Sequence, residues 1–329
     1  MLIIWLLIFC VSLFVLIKAA DYFTESAEKI GLAFHIPDFI VGSTIVTLGT
    51  TMPELGTSIL AILKNQTEIV AANALGSNIA NILLVIGLTA IVGRLLLVKK
   101  AIMETDLPLL AAATALMVIV MWDRVITFGE GLVAVIAFIA YIGYLIFEER
   151  KITVTPEGIL PGQDLPLTRQ KRYLARKKER KFFWGYFPTL VLSMAVVYLS
   201  SDWTVRSIIS VSGILKVSSS LVAMIILALG TSMPELVIAI TAVKKGKYEI
   251  ALGNVFGANI FNALIVLGLP ALFRDLKVDA LTFSVGIPFL IGATVLYIFS
   301  ALTKKITRLD GIIYLLIYLL FLAKLTGLI

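Results

Sequence analysis

Glu54 and Glu235 each close the same six-residue pattern inside a long apolar segment: Gly49-Thr50-Thr51-Met52-Pro53-Glu54 and Gly230-Thr231-Ser232-Met233-Pro234-Glu235. A charge at the middle of a bilayer costs roughly 2.5–3.5 kcal/mol on insertion scales, so a carboxylate kept there is expected to have a partner and a role. Neither motif contains a Lys or Arg, and the natural counter-charge is a bound cation. Proline carries no N–H, which leaves the carbonyls of Gly49 and Gly230 without their helical donors. Glycine eases the distortion. Carbonyls freed in hydrocarbon must face protein, water or an ion. Two broken helices therefore present oxygens beside two carboxylates, and Thr50, Thr51, Thr231 and Ser232 add more. Ser77 and Asn81, four residues apart, share one helix face. Their counterparts are Ala258 and Asn262. An all-oxygen set with two carboxylates suits hard ions such as Ca²⁺ and Na⁺ over zinc or copper. The competing readings are two protonated glutamates bonded to neighbouring helices and, for Ser77 and Asn81, interhelical hydrogen bonding. Asn73 and Asn254 are expected to hold the broken helices in place. Gly76, Gly87, Gly257 and Gly268 are expected to permit close helix packing.

The elements that position these residues are membrane spans. The chain of 329 residues is 60% hydrophobic and 15% charged, and apolar stretches of the ~20 residues needed to cross a bilayer fill most of it. The spans are expected near 2–20, 36–63, 69–92, 105–122, 129–147, 183–201, 217–244, 250–273, 281–301 and 310–328. The first lacks the basic start and cleavage site of a signal peptide and is read as a retained span. Cys10 is the only cysteine and His35 the only histidine, which excludes an intramolecular disulfide, a thiolate metal site and a His cluster. The one long connection, 148–182, begins rich in Pro and Gly and ends in the basic run RQKRYLARKKERK, read as a charged helix. Ten Lys and Arg lie between Arg150 and Lys181. Basic loops beside spans mark the cytoplasmic side. Placing 148–182 there puts 20 Lys and Arg in cytoplasmic loops and 6 outside, with both termini extracellular. The formal charge of +7 is thus a topology signal, and no nucleic-acid partner is expected.

An internal repeat decides the arrangement. VTLGTTMPEL (46–55) matches LALGTSMPEL (227–236), and NALGSNIAN (73–81) matches NVFGANIFN (254–262), both offset by 181 residues. Over 41–90 against 222–271, 24 of 50 positions are identical without a gap. EGLVAVIAF (130–138) resembles DGIIYLLIY (310–318) at an offset of 180. Each half then holds five spans, and an odd number turns the second half upside down. The expected fold is an all-α integral membrane protein of ten transmembrane helices in two inverted five-helix repeats, 1–147 and 183–329, joined by a basic cytoplasmic loop at 148–182, with helices 2 and 7 broken. Inverted repeats commonly place one transport site at the midplane between the halves.

In these motifs the sequence closely resembles the cation/calcium antiporter superfamily, in particular prokaryotic sodium/calcium exchangers. The resemblance implies alternating-access exchange of Ca²⁺ for Na⁺ at one central cluster. On this chain it makes Glu54 and Glu235 bridging carboxylates and Thr50 and Thr231 carbonyl ligands of Ca²⁺. Thr51, Ser232, Ser77, Asn81 and the backbone at Thr47 and Ala228 complete the Na⁺ sites. It also implies that spans 1 and 6 slide as a pair across the rest. Some members have aspartate where this chain has Asn262, and serine where it has Ala258. The site then carries two carboxylates rather than three, with Asn262 kept as a neutral ligand, and two Na⁺ per Ca²⁺ would balance it.

Ca²⁺/H⁺ exchange through the same glutamates is the alternative, since burial favours protonated carboxylates. A passive channel is a third reading, weakened because the site lies inside one chain, which is expected to work as a monomer in the lipid bilayer. No cofactor is expected. Nor is an enzyme: Asp106 and Asp202 have no His or Cys partner, and Asp21 aligns with Asp202 as a structural pair at helix ends. Localisation in a cell membrane as a multi-pass protein follows from the spans.

Overall fold

The computed structural model describes residues 1–33, 46–98, 107–153, 169–244, 246 and 248–329. The start of the expected second span (36–45), His35, residues 105–106 and most of the Pro/Gly-rich linker (154–168) lie outside the described residues. The chain is mostly helical. In order it forms α1 (Leu2–Ala33), α2 (Val46–Thr50), α3 (Met52–Leu63), α4 (Thr67–Gly93), strand β1 (Leu95–Leu97), α5 (Leu107–Val120), β2 (Val125–Ile126) and α6 (Phe128–Thr153). It continues through α7 (Arg169–Leu215), α8 (219–231), α9 (Met233–Lys244), α10 (248–271), β3 (Leu276–Lys277), α11 (Thr282–Leu302), β4 (Lys305–Thr307) and α12 (Arg308–Leu325).

Among the described residues, six helices are long and apolar enough to cross a membrane: Leu2–Phe23, Thr67–Gly93, Phe128–Leu145, Ser219–Lys244, Ala251–Ala271 and Thr282–Leu302. Met52–Leu63 and Leu107–Val120 are shorter apolar helices. Polarity runs opposite to that of a soluble protein. Leu7, Val11, Phe14, Ile119, Ile139, Leu192, Met194, Phe299 and Leu316 are exposed, whereas Glu54, Glu235, Ser77, Asn81 and Asn262 are wholly buried. Exposed apolar surface on this scale marks a lipid-facing exterior.

Two helices run well past their expected ends. The first continues from residue 20 to Ala33, where Lys18 pairs with Asp21 at 3.0 Å and Lys29 with Glu25, charge spacings that support a solvated helix. The sixth expected span is the middle of α7, which joins the basic segment to the membrane segment without interruption and ends only at Leu215. The helix α1 packs along α7, and the Thr204 hydroxyl donates to the Ser12 hydroxyl at 3.0 Å in the buried seam. Asp202 on α7 accepts from Arg206 at 2.6 Å and pairs with Lys64, at the end of α3, at 2.5 Å. That turn is closed by Asn65 with φ 60°, whose N–H reaches the Ile62 carbonyl while Gln66 N–H reaches that of Ala61, the reciprocal closure of a left-handed helix cap. Gly246, the repeat counterpart of Asn65, has φ 71°.

The two short sheets are features that the periodicity did not suggest. Strand β1 pairs antiparallel with β4 (Leu96 opposite Ile306), and β2 with β3 (Ile126 opposite Leu276). Each joins one half of the chain to the other. Two or three residues carry no readable alternation, so only the partner's presence makes them strands.

The halves meet through glycines. A Cβ on Gly76 would come 2.7 Å from the Met224 carbonyl oxygen and 2.9 Å from Ala228 Cβ, and one on Gly257 would come 2.8 Å from Thr47 Cγ2. These are the same contact twice, since Gly257 and Ala228 are the repeat counterparts of Gly76 and Thr47. Gly87 against Gly311 and Gly268 against Gly131 form a second duplicated pair. The expected packing role of all four glycines is thereby accounted for, because apolar helices in lipid associate through small residues that let backbones approach.

Overpacking of this kind typically costs 1–3 kcal/mol. Gly76→Ala should therefore destabilise the protein by about that amount, read as a lower thermal midpoint in detergent. Gly253→Ala, where an added Cβ meets nothing within 4 Å, should leave the midpoint unchanged or slightly raised. Equal losses for both would show that helix contact at Gly76 is not what matters.

Candidate cation site

Each proline motif breaks its helix at one residue. Between α2 and α3 the break is Thr51 (φ −92°, ψ 3°), and between α8 and α9 it is Ser232 (φ −80°, ψ 3°). The helical ladder resumes at once, with Thr51 N–H to Thr47 O at 3.1 Å and Leu55 N–H to Thr51 O at 3.1 Å. Ser232 to Ala228 and Leu236 to Ser232 repeat this at 3.1 and 3.2 Å. The interruption is therefore a bend over a missing proline N–H rather than an unwound stretch. Hydroxyls stitch the bend. Thr50 and Thr51 Oγ1 both donate to the Thr47 carbonyl, at 3.1 and 2.7 Å, and Thr231 Oγ1 donates to Leu227 O at 3.1 Å. Having donated their protons, these hydroxyl oxygens keep lone pairs for another ligand.

The bends bring the two carboxylates together. Glu54 and Glu235 are each 0% exposed, and none of their four carboxylate oxygens has a hydrogen-bond partner among the described residues. They are close enough to repel one another. Ser77 and Thr231 lie within interaction range of Glu54, and Thr50 within that of Glu235, though without hydrogen-bond geometry. The motifs therefore exchange groups across the halves: Thr231 of the second faces the carboxylate of the first, and Thr50 the reverse. Thr47 and Ala228 sit one turn before the bends and are buried.

The helices α4 and α10 close the site with π-helical turns, Ala80–Ile86 and Asn262–Val266, so Asn81 and Asn262 occupy equivalent widened turns. Such turns often occur at functional positions. The Asn81 amide donates to Asn259 Oδ1 at 3.0 Å, leaving Asn81 Oδ1 without a partner. Both polar atoms of Asn262, and the hydroxyls of Ser77 and Ser232, are also unpartnered. Among the described residues no group of three His, Cys, Asp or Glu side chains gathers anywhere, so this chemistry is two carboxylates in a shell of neutral oxygens.

Two residues were missed in the sequence. Asn78 and Asn259 are repeat counterparts, and the Asn78 amide donates to the Asn259 carbonyl oxygen at 3.1 Å. Their identity in the GSN and GAN motifs was the available signal, passed over for the four-residue spacing of Ser77 and Asn81. Asn73 and Asn254 do not hold the broken helices by hydrogen bonds. Neither side-chain atom of either residue has a partner.

The family model described as sodium/calcium exchanger protein matches residues 4–147 and 185–327. The chain belongs to the sodium/calcium exchanger family. It is a transmembrane ion antiporter of the prokaryotic cation/calcium exchanger superfamily, not an enzyme. It is similar to the sodium/calcium exchanger MaX1 of Methanosarcina acetivorans, at 30% identity over 97% of each chain. The inner membrane protein YrbG of Escherichia coli is 32% identical over 83% of this chain and 81% of its own. Among solved structures it is similar to the sodium-calcium exchanger NCX_Mj, with a TM-score of 0.64 and 26% identity over 98% of this chain and 99% of that one.

In this exchanger the bond between Asn81 and Asn259 should be measurable. Interhelical hydrogen bonds in membranes average about 0.6 kcal/mol, to a maximum near 1.7. A double-mutant cycle on Asn81→Ala and Asn259→Ala in detergent unfolding should return a coupling of about that size. Strict additivity would remove the bond from the account.

Proposed function

We propose that the exchanger carries Ca²⁺ against Na⁺ by alternating access to one central site bounded by Glu54 and Glu235. The observation that carries this is the pair of wholly buried carboxylates with four unpartnered oxygens. Two uncompensated charges inside a protein cost several kcal/mol each, and a cation between them removes both that cost and their mutual repulsion. Thr50 and Thr231 would offer carbonyls to Ca²⁺. Thr51, Ser232, Ser77, Asn81, Asn262 and the backbone at Thr47 and Ala228 would serve Na⁺. A Ca²⁺/H⁺ cycle would use the same carboxylates. The shell of neutral oxygens favours Na⁺, because a proton needs no coordination sphere.

The supporting architecture is ten spans in two inverted halves, 1–147 and 183–329. The strands argue for inversion. Strands β1 and β2 flank α5, at its opposite ends, and β1 and β3 are repeat counterparts. Parallel halves would put β1 and β3 on one face, and the pairing of β1 with β4 and β2 with β3 would then force all four strands to one side. Inverted halves meet both conditions. The charge bias places 148–182 in the cytoplasm with both termini outside. One chain supplies every ligand, in keeping with a working monomer. The α1–α7 pair is the moving element; a Cβ on Gly230, at the second bend, would meet the Leu13 side chain of α1 at 2.2 Å, so the glycine gives that pair room beside the site.

In vesicles, an outward Na⁺ gradient at clamped pH should drive Ca²⁺ uptake, and Glu54→Gln and Glu235→Gln should each reduce it to background. Uptake that follows only a pH gradient would assign the cycle to protons. With two carboxylates, dual-flux measurements should give two Na⁺ per Ca²⁺ and no current. A third Na⁺ would move one net charge per cycle, worth about 2.3 kcal/mol per 100 mV, and voltage-dependent exchange would refute the electroneutral count.

A further inference from the structure

Ser58 and Asn73 are wholly buried, and neither the Ser58 hydroxyl nor either polar atom of the Asn73 amide has a hydrogen-bond partner. Buried polar side chains in native interiors are nearly always matched, so each exception needs a reason. Neither residue belongs to the ligand set above. Their places relative to that set are regular. Helices α3 and α4 form an antiparallel hairpin around the turn at 64–66 and pack on each other. Ser58 is four residues nearer that turn than Glu54, on the same helix face, and Asn73 is four residues nearer than Ser77, again on the same face. Ser77 lies within interaction range of Glu54. One step along both helices therefore keeps Ser58 level with Asn73, about 6 Å closer to the membrane face that carries the turn.

The second half repeats the step incompletely. From Glu235 and Ala258 it leads to Ala239 and Asn254. The amide is retained, buried and unpartnered at both atoms, and the hydroxyl is replaced by a methyl group. In inverted halves this second level lies toward the opposite membrane face.

We infer that Ser58 with Asn73, and Asn254 on the other side, form access subsites through which a partly hydrated cation steps between each membrane face and the central carboxylates. This rests on the reading of the central site given above. The chemistry suits a waypoint. A hydroxyl and amide oxygens without formal charge can replace part of a hydration shell, yet hold a cation weakly enough to release it, as conduction along a pathway requires.

The test measures Ca²⁺ transport in reconstituted vesicles of known sidedness, with Ca²⁺ varied on either face and Na⁺ saturating on the other. Losing one polar ligand should raise KM for Ca²⁺ about three- to tenfold at one face for Asn73→Ala, with less than about a twofold change at the other. Asn254→Ala should do the same at the opposite face. Ser58→Ala should act on the same face as Asn73→Ala, and Asn73→Ser, which keeps an oxygen, should recover most of the loss. Ala239→Ser should lower KM at the face affected by Asn254→Ala. These last two changes keep the test open if an Asn→Ala variant fails to fold. Equal changes at both faces, no change at either, or both Asn variants acting on one face would overturn the subsites. Glu54→Gln, run in parallel, separates the two ideas. Its inactivity beside unsided Asn effects refutes the subsites alone, whereas its full activity refutes the central site.

Discussion

Two carboxyl groups buried together away from water, with no Lys or Arg in either motif to offset them, are the constraint from which the rest of the molecule can be understood. Among the described residues no side chain reaches either carboxyl group with full hydrogen-bond geometry, and the nearest donors are single hydroxyls, Thr231 and Ser77 beside Glu54 and Thr50 beside Glu235. The proposed mobile cation would relieve the cost of that burial. The surrounding polar groups are correspondingly neutral and acceptor-rich. The Thr hydroxyls spend their protons on backbone carbonyls, and the Asn81 amide donates to Asn259. In each case the proton is turned to the protein and an oxygen is left over.

Holding these oxygens in place requires close backbone approach where the halves cross. The duplicated contacts, Gly76 on Ala228 and Gly257 on Thr47, set helices of one half directly against the residues that precede the bends of the other. Because Thr231 lies near Glu54 and Thr50 near Glu235, neither half alone would contain the whole of the proposed site. The Asn78–Asn259 contact fixes the crossing from the centre, and the β1–β4 and β2–β3 pairs tie the halves at the helix ends. Separation of the halves would thus expose both carboxyl groups at once, whereas the proposed movement of α1 and α7 would leave the crossing intact.

Much of this was legible in the residues. Pro53 and Pro234 located the bends because a missing N–H is a local property, and the 181-residue offset paired every group of the site with its counterpart. What escaped was set by tertiary contact. The π-helical turns at Asn81 and Asn262 leave no mark in composition. The two-residue β2 and β3 exist only because each finds the other. The ends of α1 and α7 were placed too early because hydropathy falls at Lys18 and Asp202, while helical hydrogen bonding continues through charge pairs such as Asp202–Arg206. Asn73 and Asn254 were assigned a bonding role from their place in the motif, and the structure gives them no partner.

The departures from the repeat carry as much meaning as the matches. Backbone-shaping residues are duplicated: the prolines, the crossing glycines and the contacting asparagines Asn78 and Asn259. The hydroxyls at the bends are duplicated too, as Thr50 with Thr231 and Thr51 with Ser232, but three others are not. Ser77 faces Ala258 across the repeat, Thr47 faces Ala228, and Ser58 faces Ala239. Each substitution removes an oxygen from the second half while preserving a small side chain that still packs, since Ala228, Ala239 and Ala258 are all wholly buried. Packing is thus symmetric and coordination is not. The proposed exchange of one divalent ion for two monovalent ions in the same space would benefit from that division. In that proposed cycle a symmetric frame would let two access states be close in energy, and an uneven set of neutral oxygens would keep the monovalent ions from occupying equivalent places between the two carboxylates.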